Sequence, residues 1–134
     1  MSKLRSALVA LPFLLAGGAA FAGSFSGSYQ VTVKKSSPAG YDGPYCVTLS
    51  DDGSVLGWAH SGPVTIKNSQ GKGQGFFFVA GKSIMVTISY QGADVVFSGP
   101  VGKGGLIGAA SVVGVENGAP VLSGIITSGP KGSC

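Results

Sequence analysis

Residues 76–98, FFFVAGKSIMVTISYQGADVVFS, constrain this chain more than any other stretch. Three apolar runs are separated by two short turns containing Gly81 and Gly92. Ile84, Val86, Ile88 and Tyr90 alternate with Met85, Thr87 and Ser89, and a period of two sends successive side chains to opposite faces of a strand. One face of the meander is therefore expected to be buried. Turns at Gly81 and Gly92 bring Phe77 and Val79 beside the Ile84–Tyr90 face, and Val95 and Phe97 join it from the third run. Gly92 at the first central position suits a type II′ turn.

The rest of the chain has the same character. Phe25, Tyr29, Val31 and Val33 alternate with Ser26, Ser28, Gln30, Thr32 and Lys34, which predicts a first strand with a polar side. Residues 35–43 (KSSPAGYDG) are rich in breakers and read as a loop. Asp52-Gly53 suits a type I′ hairpin turn; that register sets Leu49 against Leu56, Val47 against Trp58 and Tyr45 against His60, all on one face. Ser61-Gly62-Pro63 breaks the chain, residues 64–67 form a short strand and residues 68–75 a flexible loop. After a further loop at residues 100–105, residues 106–115 read as a strand apolar on both faces. Asn117-Gly118 is the strongest hairpin signal in the chain and returns it into a strand over residues 121–127. Ser-Gly-Pro recurs at residues 61–63, 98–100 and 128–130, but the unequal spacing makes it reuse of turn residues and not a repeat.

These segments predict an all-β fold: an antiparallel meander of eight or nine short strands forming a closed or nearly closed small barrel. The alternative is a two-layer β-sandwich. Twenty-four glycines suit strands that must curl.

Residues 1–22 stand apart. Lys3 and Arg5 precede an apolar run, and Ala20-Phe21-Ala22 supplies the small residues of a cleavage site. This is a secretory signal with cleavage expected between Ala22 and Gly23, leaving residues 23–134 as one domain of 112 residues. The run is too short for a transmembrane helix, and no further one follows. The domain carries seven lysines against five acids, a net charge of +2, and no arginine. Scattered lysines without arginine argue against nucleic acid. Cys46 and Cys134, an even count in a chain expected to be secreted or periplasmic, are expected to form an internal disulfide tying the last residue to an early strand. The competing readings are an intermolecular bond or two free thiols.

Motifs that carry chemistry do not survive inspection. Gly81-Lys82-Ser83 resembles the end of a phosphate-binding loop, but five residues separate it from Gly75 where that motif needs four, and Ser83 leads into a strand instead of a helix. The glycines at 102, 104 and 108 lack dinucleotide-binding spacing. Asp42, Asp51 and Asp52 are too few for calcium, and a single histidine makes zinc poorer still. His60 has no nucleophile motif to serve. No catalytic residue, metal or cofactor is expected. Trp58, Tyr45, His60 and Tyr29 are the candidates for lining an apolar pocket. The function expected is a non-enzymatic binding module for a small apolar ligand or a protein partner. The alternative is a structural or assembly protein of the cell envelope, with an outer-membrane barrel as a variant requiring a continuous lipid-facing band.

Overall fold

The computed structural model describes residues 25–134; the expected signal over residues 1–22, with its cleavage point, lies outside the described residues. Eight antiparallel strands follow one another as β1 (Gly27–Ser37), β2 (Gly43–Leu49), β3 (Ser61–Asn68), β4 (Gly71–Ala80), β5 (Ser83–Tyr90), β6 (Ala93–Pro100), β7 (Ala110–Glu116) and β8 (Ala119–Lys131). Each pairs with its chain neighbour and β8 returns to β1, closing a barrel, not a sandwich. The meander expected over residues 76–98 is observed. Phe77, Ile84, Val86, Ile88, Tyr90, Val95 and Phe97 are buried, and Val79 packs against them partly covered. Tyr29, Val31 and Val33 enter the same core from β1, as their alternation requires. Each aliphatic or aromatic side chain fully withdrawn from water contributes about 1.5–3 kcal/mol, so this interior dominates the stability of the fold.

Glycine at two inward positions of β4 lets the wall curl. A Cβ at Gly75 would lie 1.8 Å from the Thr87 carbonyl oxygen, and one at Gly73 would lie 2.3 Å from that of Ser89. The backbone of β5 occupies the space side chains would need there. The outward face of β1–β3 is polar, with Gln30, Lys34, Thr48, Thr65 and Lys67 exposed around an apolar interior. On these three strands the alternation is apolar inward and polar outward, the opposite of a lipid-facing wall.

The meander gives the barrel two ends. At the turn end lie the two-residue turns at 69–70, 91–92 and 117–118, and the residues between β1 and β2, which include a 3-10 turn over Ala39–Tyr41. At the loop end lie residues 50–60, the turn at 81–82 and residues 101–109. Cys46 and Cys134 are disulfide-bonded with Cα atoms 5.8 Å apart. The bond joins residues 88 apart in the sequence, a closure worth about 4–5 kcal/mol in the chain-entropy account.

Several expectations are corrected. The Asp52-Gly53 hairpin does not form: β2 pairs with β3, placing Val47 opposite Ile66 and Leu49 opposite Val64. Residues 64–67, VTIK, alternate with two β-branched residues facing inward, whereas the competing segment is interrupted by Gly57 at φ +81°. Ser61-Gly62-Pro63 accordingly belongs to β3 and does not break it. Residues 71–75 are strand instead of loop, because the Asn68 carboxamide oxygen accepts from the N–H groups of Gln70 and Gly71, both at 3.0 Å, and turns the chain at once. Gln91 and Gly92 both have positive φ (50° and 82°), a type I′ pattern instead of II′; the lone positive φ falls at Gly81 in the preceding turn. β1 runs on to Ser37 before the expected loop begins, and β7 starts only at Ala110. Leu106 and Ile107 are not strand; they plug the loop end, their N–H groups donating to the Ser128 hydroxyl.

Candidate functional site

The four expected pocket residues do not share one face. Tyr45 and Tyr29 point into the barrel, at opposite ends. At the turn end the Tyr45 hydroxyl donates to the Tyr41 carbonyl (2.8 Å), and its ring meets that of Tyr90 edge-on at 5.9 Å. The Tyr90 hydroxyl donates in turn to the Asn68 side chain (2.9 Å). Beneath these rings lies an apolar cavity of about 30 Å³, lined among others by Tyr41, Ile88, Val112 and Leu122. It has room for about one water, and a cavity with so apolar a lining stays dry. A pocket for a drug-sized ligand needs roughly ten times that volume. Burial raises the Tyr45 phenol above its ordinary pKa, reinforced by the neighbouring Tyr90, Tyr41 and Asp42. Tyr90 is raised by burial too, against the opposing effect of its hydrogen bond to Asn68.

Tyr29 sits at the loop end, its hydroxyl donating to the Phe25 carbonyl at 3.0 Å. Burial first, then the charge of Asp51, raises its pKa. Asp51 anchors this end. Its side chain is fully buried, accepts from the N–H groups of Phe25 (3.3 Å) and Ser61 (3.2 Å), and lies 2.9 Å from His60 Nδ1. The His60 ring packs edge-on against Phe25 at 5.4 Å. An aspartate holding a histidine is two-thirds of a hydrolytic triad, but the hydroxyls beside this pair hold the backbone. Ser26 Oγ accepts from the Asp51 N–H (2.8 Å), and Ser61 Oγ donates to the Trp58 carbonyl (2.7 Å) while accepting from the Val55 N–H (3.1 Å). The arrangement is a clamp on residues 50–60. No group of three or more His, Cys, Asp and Glu side chains placed to hold a metal ion occurs among the described residues.

Trp58 lies outside the barrel. The clamp folds residues 50–60 back over β4, and the indole lies against Phe78 with ring centroids 4.7 Å apart and planes inclined by 33°. Trp58 remains 37% exposed and Leu56, two residues earlier, 95% exposed. Phe76 and Met85 extend the same outer surface, where a shallow groove of about 210 Å³ runs between Phe78, Ala80, Met85 and Ser98. Leu56, which the Asp52-Gly53 register would set beside Leu49 on an apolar face, is instead exposed, and Phe76, Phe78 and Met85 carry a signal of their own in the sequence. In a barrel where the odd positions of β4 and the even positions of β5 face in, large apolar side chains at 76, 78 and 85 have the wrong parity for the core, and that marks an exposed apolar patch. No helix among the described residues is long and apolar enough to cross a membrane. Compared with models of protein families, with curated proteins and with solved structures, the chain matches none of them.

Proposed function

We propose that this protein is a non-enzymatic binding module, secreted or periplasmic, that meets its partner on the outside of the barrel and not within it. The observation that carries this reading is the patch of Leu56, Trp58, Phe76, Phe78 and Met85, with Leu56 left 95% exposed on a clamped segment. Soluble monomers rarely leave contiguous apolar surface of this kind without a use for it. The clamp favours binding as well, because a segment already ordered loses little entropy on contact. The dry cavity of about 30 Å³ argues against the small-ligand version in the interior. The Cys46–Cys134 disulfide supports an oxidising compartment. Closure of the barrel weighs against a structural protein assembling by strand addition, since pairing of β8 with β1 removes the edges such assembly needs.

The test is site-specific cross-linking in producing cells. A photoreactive phenylalanine analogue at Leu56 should yield adducts, while the same group at Thr65, exposed on the polar wall, should not. Equal yields from the two positions, or no adduct of any kind from 56, would remove the outer patch as the binding surface.

A further inference from the structure

Residues 50–60 leave the barrel at its loop end and fold back against the outer side of β4. The most exposed large side chain is aliphatic, Leu56, and the next is an indole, Trp58, lying partly exposed on Phe78. The segment is built and not loose. The Trp58 N–H donates to the Val55 carbonyl (3.1 Å), the N–H groups of Asp52 and Gly53 donate to the Ser61 carbonyl (3.0 and 2.9 Å), and Asp51 fixes the base. Lysines stand on the other connections of the same end: Lys82 in the β4–β5 turn, Lys103 within residues 101–109, and Lys131 at the last position of β8. The exposed acid of this segment is Asp52, because Asp51 is fully buried against His60.

This combination has a chemical counterpart. A bilayer surface offers acyl chains to an aliphatic tip, an interfacial zone that favours tryptophan, and anionic headgroups that attract lysine. Leu56 is 95% exposed, so a protein partner would have to supply the whole enclosure of its side chain, which fluid acyl chains do without a preformed cavity. We infer that the loop end docks on an anionic lipid surface, Leu56 and Trp58 entering the interface and Lys82 and Lys103 meeting the headgroups. The inference rests on the reading of the outer patch as the contact surface and names the partner that patch fits.

Vesicle co-sedimentation of the purified protein tests it, using equal parts phosphatidylglycerol and phosphatidylcholine against phosphatidylcholine alone. Trp58 is the single tryptophan of the chain, so its emission reports on the inserted segment itself. The protein should sediment with the anionic vesicles, its emission should shift to the blue, and added salt should release it. Leu56→Ser, at a site with no packing to lose, should weaken binding roughly tenfold while leaving the melting temperature unchanged. Lys82→Glu combined with Lys103→Glu should remove most of the preference for phosphatidylglycerol. Val121→Ser, an exposed position on β8, should change neither. The proposal is overturned if anionic vesicles do not bind the protein at low salt, if both vesicle types bind it equally, or if Leu56→Ser binds as the parent does. The cross-linking result separates the two levels. Protein adducts from position 56 without vesicle binding leave the outer patch standing with a protein as its partner; no adducts and no vesicle binding remove both.

Discussion

The two ends of the barrel are closed by different means. At the turn end, connections of two residues are set by their own neighbours: Asn68 accepts from Gln70 and Gly71, and Asn117-Gly118 takes positive φ at both positions (52° and 79°). At the loop end, residues 50–60 and 101–109 are held by groups distant in the chain. Asp51 accepts from Phe25, and the Leu106 and Ile107 N–H groups donate to Ser128. Short local turns spend nearly all their residues on reversing the chain. A long segment captured at a few points has side chains to spare, and here those are Leu56 and Trp58. The candidate site accordingly sits at the end that local chemistry does not specify.

Removing the capture should produce the largest effect. Asp51→Ala leaves the N–H groups of Phe25 and Ser61 and the His60 ring without their buried acceptor, and should cost about 3 kcal/mol. Urea denaturation measures it, and Trp58 emission should shift to the red as the clamp releases. A loss well under 1 kcal/mol would mean that the loop end is not pinned at Asp51.

The equivalent change at the turn end should be milder. Asn68→Ala removes the acceptor for Gln70, Gly71 and Tyr90, but near solvent, and should cost about 1–2 kcal/mol without altering Trp58 emission. A shift in that emission would show that the two ends are coupled.

The smallest effect expected is a pH dependence. Tyr29, Tyr45 and Tyr90 all have pKa values raised above 10.0, chiefly by burial. A raised folded-state pKa contributes stability that is complete below the unfolded value and is lost as pH rises through and beyond it. The melting temperature should therefore fall as pH rises above about 10, and Tyr45→Phe should flatten that fall. An alkaline profile unchanged by Tyr45→Phe would assign the loss to other groups.

The sequence was legible where structure is local or periodic. Parity along 76–98 named the inward face, Asn117-Gly118 named its hairpin, and two cysteines named the disulfide. Legibility failed where a distant group decides. Nothing near Asp52-Gly53 reveals that Ser61 gathers Val55, Trp58, Asp52 and Gly53 about itself and makes a hairpin there impossible. With that register lost, Tyr45, Trp58 and His60 do not share one face: Tyr45 points into the barrel and Trp58 lies on its outer wall against Phe78. The sheet-forming residues 71–75 were obscured by their glycines, whose absent side chains serve the close approach of β5.

The disulfide also gives the barrel a mechanical asymmetry. Cys134 follows β8 and is bonded to β2. A pull applied at Phe25 and at Cys134 therefore runs through the residues ahead of Cys46 and across the sulfur bridge, bypassing everything in between. Of the eight strands, β1 lies wholly on that path, paired to β2 on one side and β8 on the other. Tension should draw β1 out and leave the strands from β3 to β8 inside a covalent loop that force cannot lengthen. Under load, this protein is a short tether attached to a closed ring.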